Sequence, residues 1–300
     1  MSIIGDIKAQ FRERNVLLQI IIVNAGLFLL VKLTGFCFYL AGHSADLVDE
    51  TALTSLALPY DPNELLHKPW TIITHFFTHL GLPHIFWNLV TLYVFGKIFV
   101  DYAGNNRILS IYFYGALAGA ALSFVVYELS PRLREFEHAD YMLGASAGIM
   151  AIVLGIATLV PNASLRLLFI GEVQLKYIAL FFVLIDLISL PYYSNSGGHI
   201  AHLGGAAFGS LFMFQFKRGR DWSKGFNRFF DFIRTPFIKG GRARMKVVYN
   251  RRKKTDEDFN QEKNQLQQRV DHILDKISRS GYESLSKEEK DILFRSSNKL

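Results

Sequence analysis

Apolar residues are gathered along this chain into long blocks that short polar segments separate. A helix that spans a bilayer needs roughly 20 mostly apolar residues, because the hydrocarbon offers no partners for free backbone amides. Six blocks come close to that length: 16–35, 83–103, 107–128, 143–161, 173–191 and 199–216. The pattern therefore predicts an all-α fold, a polytopic membrane bundle of six transmembrane helices.

Basic residues predict the orientation of this bundle. Lys8, Arg12 and Arg14 precede the first block, which lacks a convincing small-residue cleavage site and is expected to be an uncleaved anchor. Further basic residues lie on the same predicted side: Lys97, Arg107, Arg166, Lys176, Lys217, Arg218 and Arg220. Because cytoplasmic loops carry the excess of Lys and Arg, we expect both termini in the cytoplasm of a cell (inner) membrane and loops 42–69 and 129–142 outside.

The composition shows a net positive charge and a single cysteine. Half of the residues are hydrophobic, and the net charge is +7. Because the basic residues lie beside apolar blocks, membrane lipids are expected partners and nucleic acid is not. Cys37 has no partner for an intrachain disulfide, and its apolar neighbours predict a packed thiol. The apolar stretch Phe36–Leu40 is assigned to a long outer loop, which either dips into the outer leaflet or is an ordinary folded loop.

The chain is expected to divide into a cytoplasmic N-terminus (1–15), a membrane domain (16–216), a basic amphipathic juxtamembrane linker (217–254) and a small helical cytoplasmic module (255–300). In the linker, aromatic and aliphatic residues recur at near-helical spacing beside basic ones: Phe226, Phe229, Phe230, Ile233 and Phe237. This spacing fits a helix on an anionic bilayer face, or a solvated tail that merely obeys the positive-inside rule.

The C-terminal module shows the pattern of two short helices. An apolar stripe comprises Val270, Ile273, Leu274 and Ile277. Gly281 is expected to end that helix, and Ser286 with Glu289 forms a capping box for the next one. Two short helices bury little apolar area, so self-association or docking on a partner is expected of them.

Three groups of polar residues interrupt the apolar blocks. Ser146 lies in Gly144-Ala145-Ser146-Ala147-Gly148, where small residues also suit close packing of membrane helices. No strand precedes this segment, which disfavours the nucleophile elbow of soluble hydrolases.

His202 lies near the start of the last block and is followed by Gly205 and Gly209, which share one helix face with it. Histidine inside a membrane is costly and by default marks a function. His199 lies one turn nearer the outer boundary, where an interfacial role is expected. It also remains a candidate for the base.

The third group is a histidine cluster before and within the second block. It comprises His75, His79, His84 and, one turn after His84, Asn88. Three histidines at short spacing could bind a metal. The run lacks the Glu of the His-Glu-x-x-His zinc motif, however, so we predict no metal site and no cofactor.

Taken in order, these motifs resemble the rhomboid family of intramembrane serine proteases, of the bacterial type with six spans and a cytoplasmic C-terminal extension. The resemblance covers about residues 65 to 216. It rests on four elements: Trp70 before the histidine cluster, His84-x-x-x-Asn88, Gly144-x-Ser146, and His202-x-x-Gly205-x-x-x-Gly209.

The resemblance implies a serine endopeptidase that cuts transmembrane protein substrates. Ser146 would be the nucleophile and His202 its base, while His84 and Asn88 would join the Ser146 amide in an oxyanion hole. His79 and His75 would support the site.

Two positions depart from the family pattern. Thr71 follows Trp70 where many rhomboids have Arg, and Met150 stands where an aromatic ring often stacks on the histidine. From the residues alone, Asp186 lies in another span and is expected to be a cap or interfacial group. The expected mechanism is therefore a Ser146–His202 dyad, in which close helix packing orients the imidazole.

Rival interpretations come from other classes of protein. A transporter or channel also carries polar residues in its spans, but the sequence has no internal repeat of the kind many transporters show. A non-catalytic membrane chaperone or quality-control factor of the rhomboid-like type would normally have lost Ser146 or His202.

Overall fold

The computed structural model of this chain describes residues 15–131, 133, 141–168, 170–191, 195–234, 256–281, 284–286, 288–290 and 292–293. Within them, the helices are α1 (Val16–Leu40), α2 (Asp46–Leu56), α3 (Pro62–His67), α4 (Thr71–Thr74), α5 (Leu82–Ala103), α6 (Asn105–Leu129), α7 (Ser146–Leu159), α8 (Leu175–Ser189), α9 (Ser196–Lys217), α10 (Ser223–Arg234) and α11 (Asp256–Ser280). A 3₁₀ turn, His75–Phe77, follows α4.

The described strands form two short antiparallel pairs. In the first pair, β1 (Leu58–Pro59) aligns Leu58 with Met142 of β2 (Tyr141–Met142). In the second, β3 (Ser164–Leu167) and β4 (Gly171–Gln174) form a hairpin between α7 and α8. The first pair ties the loop before α5 to the segment that leads into α7.

The predicted helical membrane bundle is confirmed. Among the described residues, three helices are long and apolar enough to cross a membrane: α1, α5 and α6. The other three predicted blocks coincide with α7, α8 and α9, of which α7 has 14 residues and α8 has 15. The number of spans therefore stays a prediction.

The helix α1 is longer than its predicted block and ends at Leu40, close to Gly42, which has a φ of 84°. The stretch Phe36–Leu40 therefore belongs to the helix, and its assignment to the outer loop was wrong. Cys37 is exposed on this helix, so the expectation of a packed thiol was also wrong. Its apolar neighbours reflect a helix surface suited to lipid rather than a protein core.

The helix α7 lies at the centre of the bundle, with ten of its 14 residues buried. It packs against α6 and α9 through positions where a side chain larger than hydrogen does not fit. A Cβ atom on Gly205 would overlap the carbonyl oxygen of Ala147, and one on Gly209 would overlap that of Ala151. Backbone-to-backbone packing of this kind is what small residues allow in membrane helices.

The segment between α1 and α5 is a folded structure rather than a simple connector. It contains α2, β1, α3 and α4, and hydrogen bonds join these pieces. The indole Nε1 of Trp70 donates to the carbonyl of Ser55 (2.8 Å), and Thr74 Oγ1 donates to that of Leu56 (2.7 Å).

The helix α10 packs on the end of the bundle that carries the start of α6. The ring of Phe226 contacts those of Phe113 and Tyr114, whereas Phe229 is exposed. Just before α10, Asp221 accepts from Arg107 at 2.7 Å. Burial opposes ionisation of Asp221, but hydrogen bonds from Ser223 and Arg107 outweigh it and keep the pKa of this carboxyl below its usual value.

The chain separates into two compact units, residues 1–238 and 239–300. In the second unit, α11 carries the predicted apolar stripe and ends before Gly281, which has a φ of 77°. The predicted capping box is confirmed: the Ser286 amide donates to Glu289 Oε2 (2.7 Å), and the Glu289 amide donates to Ser286 Oγ (3.3 Å). Phe237 lies outside the described residues.

Candidate active site

Ser146 is the first residue of α7, and the residues before it fix its position. Gly144 has a φ of 115°, a conformation that side chains rarely adopt, and its amide donates to the carbonyl of His75 at 2.9 Å. Met142, two residues earlier, pairs with β1. The serine is therefore held between a paired strand and the start of a buried helix.

The structure brings His202 of α9 directly to this serine. The Nε2 atom of His202 lies 2.7 Å from Ser146 Oγ, a hydrogen-bond distance. The close packing of Gly205 against Ala147 sets the approach of the two helices just one turn away. A bulkier residue at position 205 would push the imidazole away from the hydroxyl.

Asp186 contradicts the expectation that no carboxylate orients the imidazole. This residue is 4% exposed in the last turn of α8, and its Oδ1 atom lies 2.9 Å from Nδ1 of His202 and 2.7 Å from Nδ1 of His199. Its hydrogen bonds go to side chains of α9, so the expectation of a helix cap was wrong. The sequence did carry a signal, since a carboxylate inside an apolar block is costly and by default functional.

His84 projects from the first turn of α5 toward Ser146. A Cβ atom added to Gly144 would meet the His84 ring at 2.7 Å from Cε1, and it would lie 3.8 Å from Ser146 Oγ. Glycine at position 144 therefore serves two purposes: it allows the positive φ, and it leaves room for the imidazole beside the serine.

Asn88 lies one turn below His84 and is tied to His79. Its Nδ2 atom donates to His79 Nε2 at 2.9 Å, and the Ala145 amide donates to the same nitrogen at 3.3 Å. Burial, followed by the proximity of His84, lowers the pKa of His79 to about 4. A neutral His79 with an accepting Nε2 suits both of these bonds.

The remaining predicted site residues lie around this centre. His75 is buried, and its Nδ1 hydrogen bonds to the carbonyl oxygen of Thr71 at 2.9 Å. Thr71 is itself buried, and its Oγ1 donates to the carbonyl oxygen of Lys68. A small polar residue at this position thus closes the turn that leads into α4. Met150 is 5% exposed within α7.

A cavity of about 420 Å³ opens over the serine. Its lining comprises Pro83, His84, Trp87, Asn88, Leu143, Ser146, Asn195, Gly198 and His202. Hydroxyl, imidazole and amide groups thus meet at one wall of a largely apolar space. Ligand pockets in proteins commonly have such a lining, which is mostly apolar with a few polar groups that orient the ligand.

A protein-family model, that of the Rhomboid domain, matches residues 66–218 of the sequence. The match covers half of the chain and contains every residue of this site. The chain belongs to the rhomboid family. A second model, of a family of unknown function (DUF6576), matches residues 253–299 and thus the C-terminal module of this rhomboid.

Several curated proteins are similar to this rhomboid. RHOMBOID-like protein 12, mitochondrial, of Arabidopsis thaliana is 26% identical over 216 residues, 69% of this chain and 60% of the relative. Presenilin-associated rhomboid-like protein A, mitochondrial, of Danio rerio is 28% identical over 139 residues, 44% of this chain and 34% of the relative. The human Presenilin-associated rhomboid-like protein, mitochondrial, is 27% identical over 154 residues, 49% of this chain and 37% of the relative. The matches thus span less than two thirds of each relative's length.

Proposed function

We propose that this rhomboid is an intramembrane serine endopeptidase that hydrolyses peptide bonds in or near transmembrane segments. The observation that carries the proposal is the 2.7 Å contact between Ser146 Oγ and His202 Nε2 at the wall of the cavity. Serine is a poor nucleophile unless a base within hydrogen-bond reach takes its proton, and His202 meets that condition.

The chemistry follows from the positions of these groups. Ser146 Oγ attacks the carbonyl carbon while its proton passes to His202 Nε2, which later gives the proton to the leaving amine. Water then attacks the acyl carbon with the same imidazole as base, and the ester bond breaks as Ser146 Oγ takes the proton back from His202 Nε2. The oxygen of the tetrahedral intermediate gains a negative charge, for which His84, Asn88 and the Ser146 amide are suitable donors.

The length of α7 supports cleavage below the membrane surface. Its 14 residues rise about 21 Å, whereas the hydrocarbon core is roughly 30 Å thick. With its other end near the opposite surface, α7 would start inside the apolar layer, and Ser146 is its first residue. Transmembrane protein substrates and membrane lipids are the partners this position implies. By the family resemblance, substrates would enter sideways past α8, the fifth predicted span.

Replacing the proposed nucleophile tests the function directly. We expect Ser146→Ala to lower cleavage of a model transmembrane substrate in proteoliposomes by about 10⁴-fold or more, because the bond-forming oxygen is lost. A fluorophosphonate probe should label the wild type and not this variant. Ser110→Ala is the matched control, since Ser110 is also buried in a spanning helix but bonds to the carbonyl of Arg107. Equal cleavage by wild type and Ser146→Ala would refute the proposal.

The same experiment separates an enzyme from a non-catalytic membrane chaperone or quality-control factor. A chaperone would bind the substrate without producing fragments, and its binding would not depend on the serine hydroxyl. Fragments that appear with wild type and disappear with Ser146→Ala are expected of an endopeptidase.

The proposed location is a cell (inner) membrane with both termini in the cytoplasm. The charge pattern supports it, because Lys217, Arg218 and Arg220 follow α9 and the loop 42–69 carries several acidic residues. We expect a cysteine introduced at position 300 of a Cys37→Ala protein to resist a membrane-impermeant thiol reagent in intact cells. A cysteine at Asp61 should react. Labelling of position 300 from outside would contradict this orientation.

A further inference from the structure

Asp186, His199 and His202 form a cluster that neither the proposed dyad nor the family match explains. Asp186 lies on the face of α8 that the bundle buries, together with Leu175, Ile178, Ala179 and Ser189. The opposite face exposes large apolar side chains such as Leu184 and Ile188. A carboxylate turned inward from such a helix must be compensated by charge or hydrogen bonds. The two imidazoles provide that compensation.

The carboxylate fixes which nitrogen of His202 carries the proton. An ionised carboxylate can accept hydrogen bonds but cannot donate them, so Nδ1 of His202 must carry a hydrogen at its distance of 2.9 Å from Asp186 Oδ1. In the neutral ring, Nε2 is then the nitrogen with the lone pair, and Nε2 is the atom that faces Ser146 Oγ. This is the tautomer that a general base requires.

We infer that Asp186 is a positioning residue that, through His202, extends the proposed Ser146–His202 pair to a three-membered relay. The inference rests on the proposed function. When Nε2 takes the serine proton, the ring becomes an imidazolium, and Asp186 stabilises it through a charge-assisted hydrogen bond while remaining ionised. The proton then passes from Nε2 to the leaving amine, so Asp186 neither gains nor loses one.

His199 completes the arrangement from the same helix as His202. Its Nδ1 donates to the same oxygen of Asp186 at 2.7 Å, and its ring stands nearly perpendicular to that of His202 at 84°. This second donor holds the carboxylate in place and offsets the cost of its burial. His199 therefore acts two steps from the serine and supports the relay indirectly.

A metal ion is the alternative occupant of this cluster, because a carboxylate and two imidazoles are common zinc ligands. The distances favour hydrogen bonds instead. Two ligand atoms that share one tetrahedral zinc lie about 3.3 Å apart at ordinary bond lengths. The nitrogen-to-oxygen distances here are 2.7 and 2.9 Å.

Kinetics of purified full-length protein in detergent test the inference. We expect Asp186→Asn to lower kcat by about 100-fold with KM changed by less than about threefold, because the carboxylate acts on the imidazolium and not on substrate binding. The loss is smaller than the about 10⁴-fold of a soluble triad, since helix packing also holds the ring. Asp186→Glu should recover part of kcat. Ser189→Ala, on the same buried face of α8, should match the wild type.

Nuclear magnetic resonance of isotope-labelled histidine gives a readout that a structural role would not move. The ring nitrogens of His202, assigned with the His202→Ala and His199→Ala variants, should show the Nδ1-protonated tautomer in the wild type and a mixture in Asp186→Asn. A wild-type His202 that carries its proton on Nε2 would overturn the inference without any variant. So would a fall in kcat with an unchanged tautomer, or activity that a chelator abolishes and zinc restores.

Two results separate this inference from the proposed function. If Ser146→Ala is inactive while Asp186→Asn keeps wild-type kcat, the relay is wrong and the endopeptidase stands. If Ser146→Ala still cleaves, the endopeptidase proposal fails, and the relay that depends on it fails as well.

Discussion

Replacing His202 by alanine is expected to reduce cleavage by about 10⁴-fold or more, the size of loss seen when a member of a serine-histidine pair is removed. The imidazole is the group within hydrogen-bond reach of Ser146 Oγ, at 2.7 Å, so the hydroxyl loses its base. Initial rates of fragment formation by the wild type and the variant, reconstituted at equal density, measure the effect. Thermal unfolding in detergent checks that the variant remains folded.

His199→Ala is the matched control for this experiment. Both histidines lie on α9 one turn apart, and both donate to Asp186. If His202 is the base, His199→Ala should retain activity within about tenfold of the wild type, because the His199 ring bonds to the carboxylate whereas the His202 ring reaches Ser146 Oγ. A nearly inactive His199→Ala beside an active His202→Ala would reverse the assignment of the base.

The helical architecture could be predicted from the sequence because its cause is local. Each spanning helix satisfies its own backbone hydrogen bonds, so an apolar block of sufficient length is enough to predict it. The errors lie at the ends, as at Leu40, where an apolar run continues beyond the predicted end of the helix. The pairing of Leu58 with Met142 joins residues far apart in the chain, and no local pattern predicts it.

Local spacing along the sequence also predicted part of the candidate site. The pattern of His202, Gly205 and Gly209 predicts close helix packing at the histidine, and the structure places the two glycines against the carbonyls of Ala147 and Ala151. Asp186 was missed because the contact depends on how α8 packs against α9. Sequence spacing relates residues on one helix, whereas a contact between two helices depends on their relative rotation.

The hydrogen bond between Asn88 and His79 also could not be predicted from the sequence. The motif places His84 and Asn88 on one helix face, yet the Asn88 amide is turned toward a histidine in the preceding loop. His79 is 1% exposed, so this bond fixes the orientation of the amide. An asparagine amide has two hydrogens, and one of them remains to donate elsewhere. The structure thus suits both a packing role and an oxyanion role for Asn88.

Removing the proposed oxyanion donors is expected to lower turnover while substrate binding changes little. Asn88→Ala should lower kcat by about 10-fold or more, and the double replacement with His84→Ala by about 100- to 1000-fold, because fixed donors in a site with little water stabilise the developing charge strongly. KM should change little, since these bonds strengthen only in the transition state. Steady-state kinetics with a model transmembrane substrate provide both constants.

Measurements of stability separate this role from packing. As a purely structural contact, the bond between Asn88 and His79 would contribute about 1 kcal/mol, a typical net value for a hydrogen bond within a protein, and the variant would show its loss as a lower thermal midpoint. The double variant should lose less than the product of the two single losses, because His84 and Asn88 would serve one charge. His79→Ala distinguishes the two roles further, since it frees the Asn88 amide without removing it. If Asn88→Ala melts much earlier but keeps the wild-type kcat while folded, Asn88 is structural, and His84 and the Ser146 amide remain as the donors.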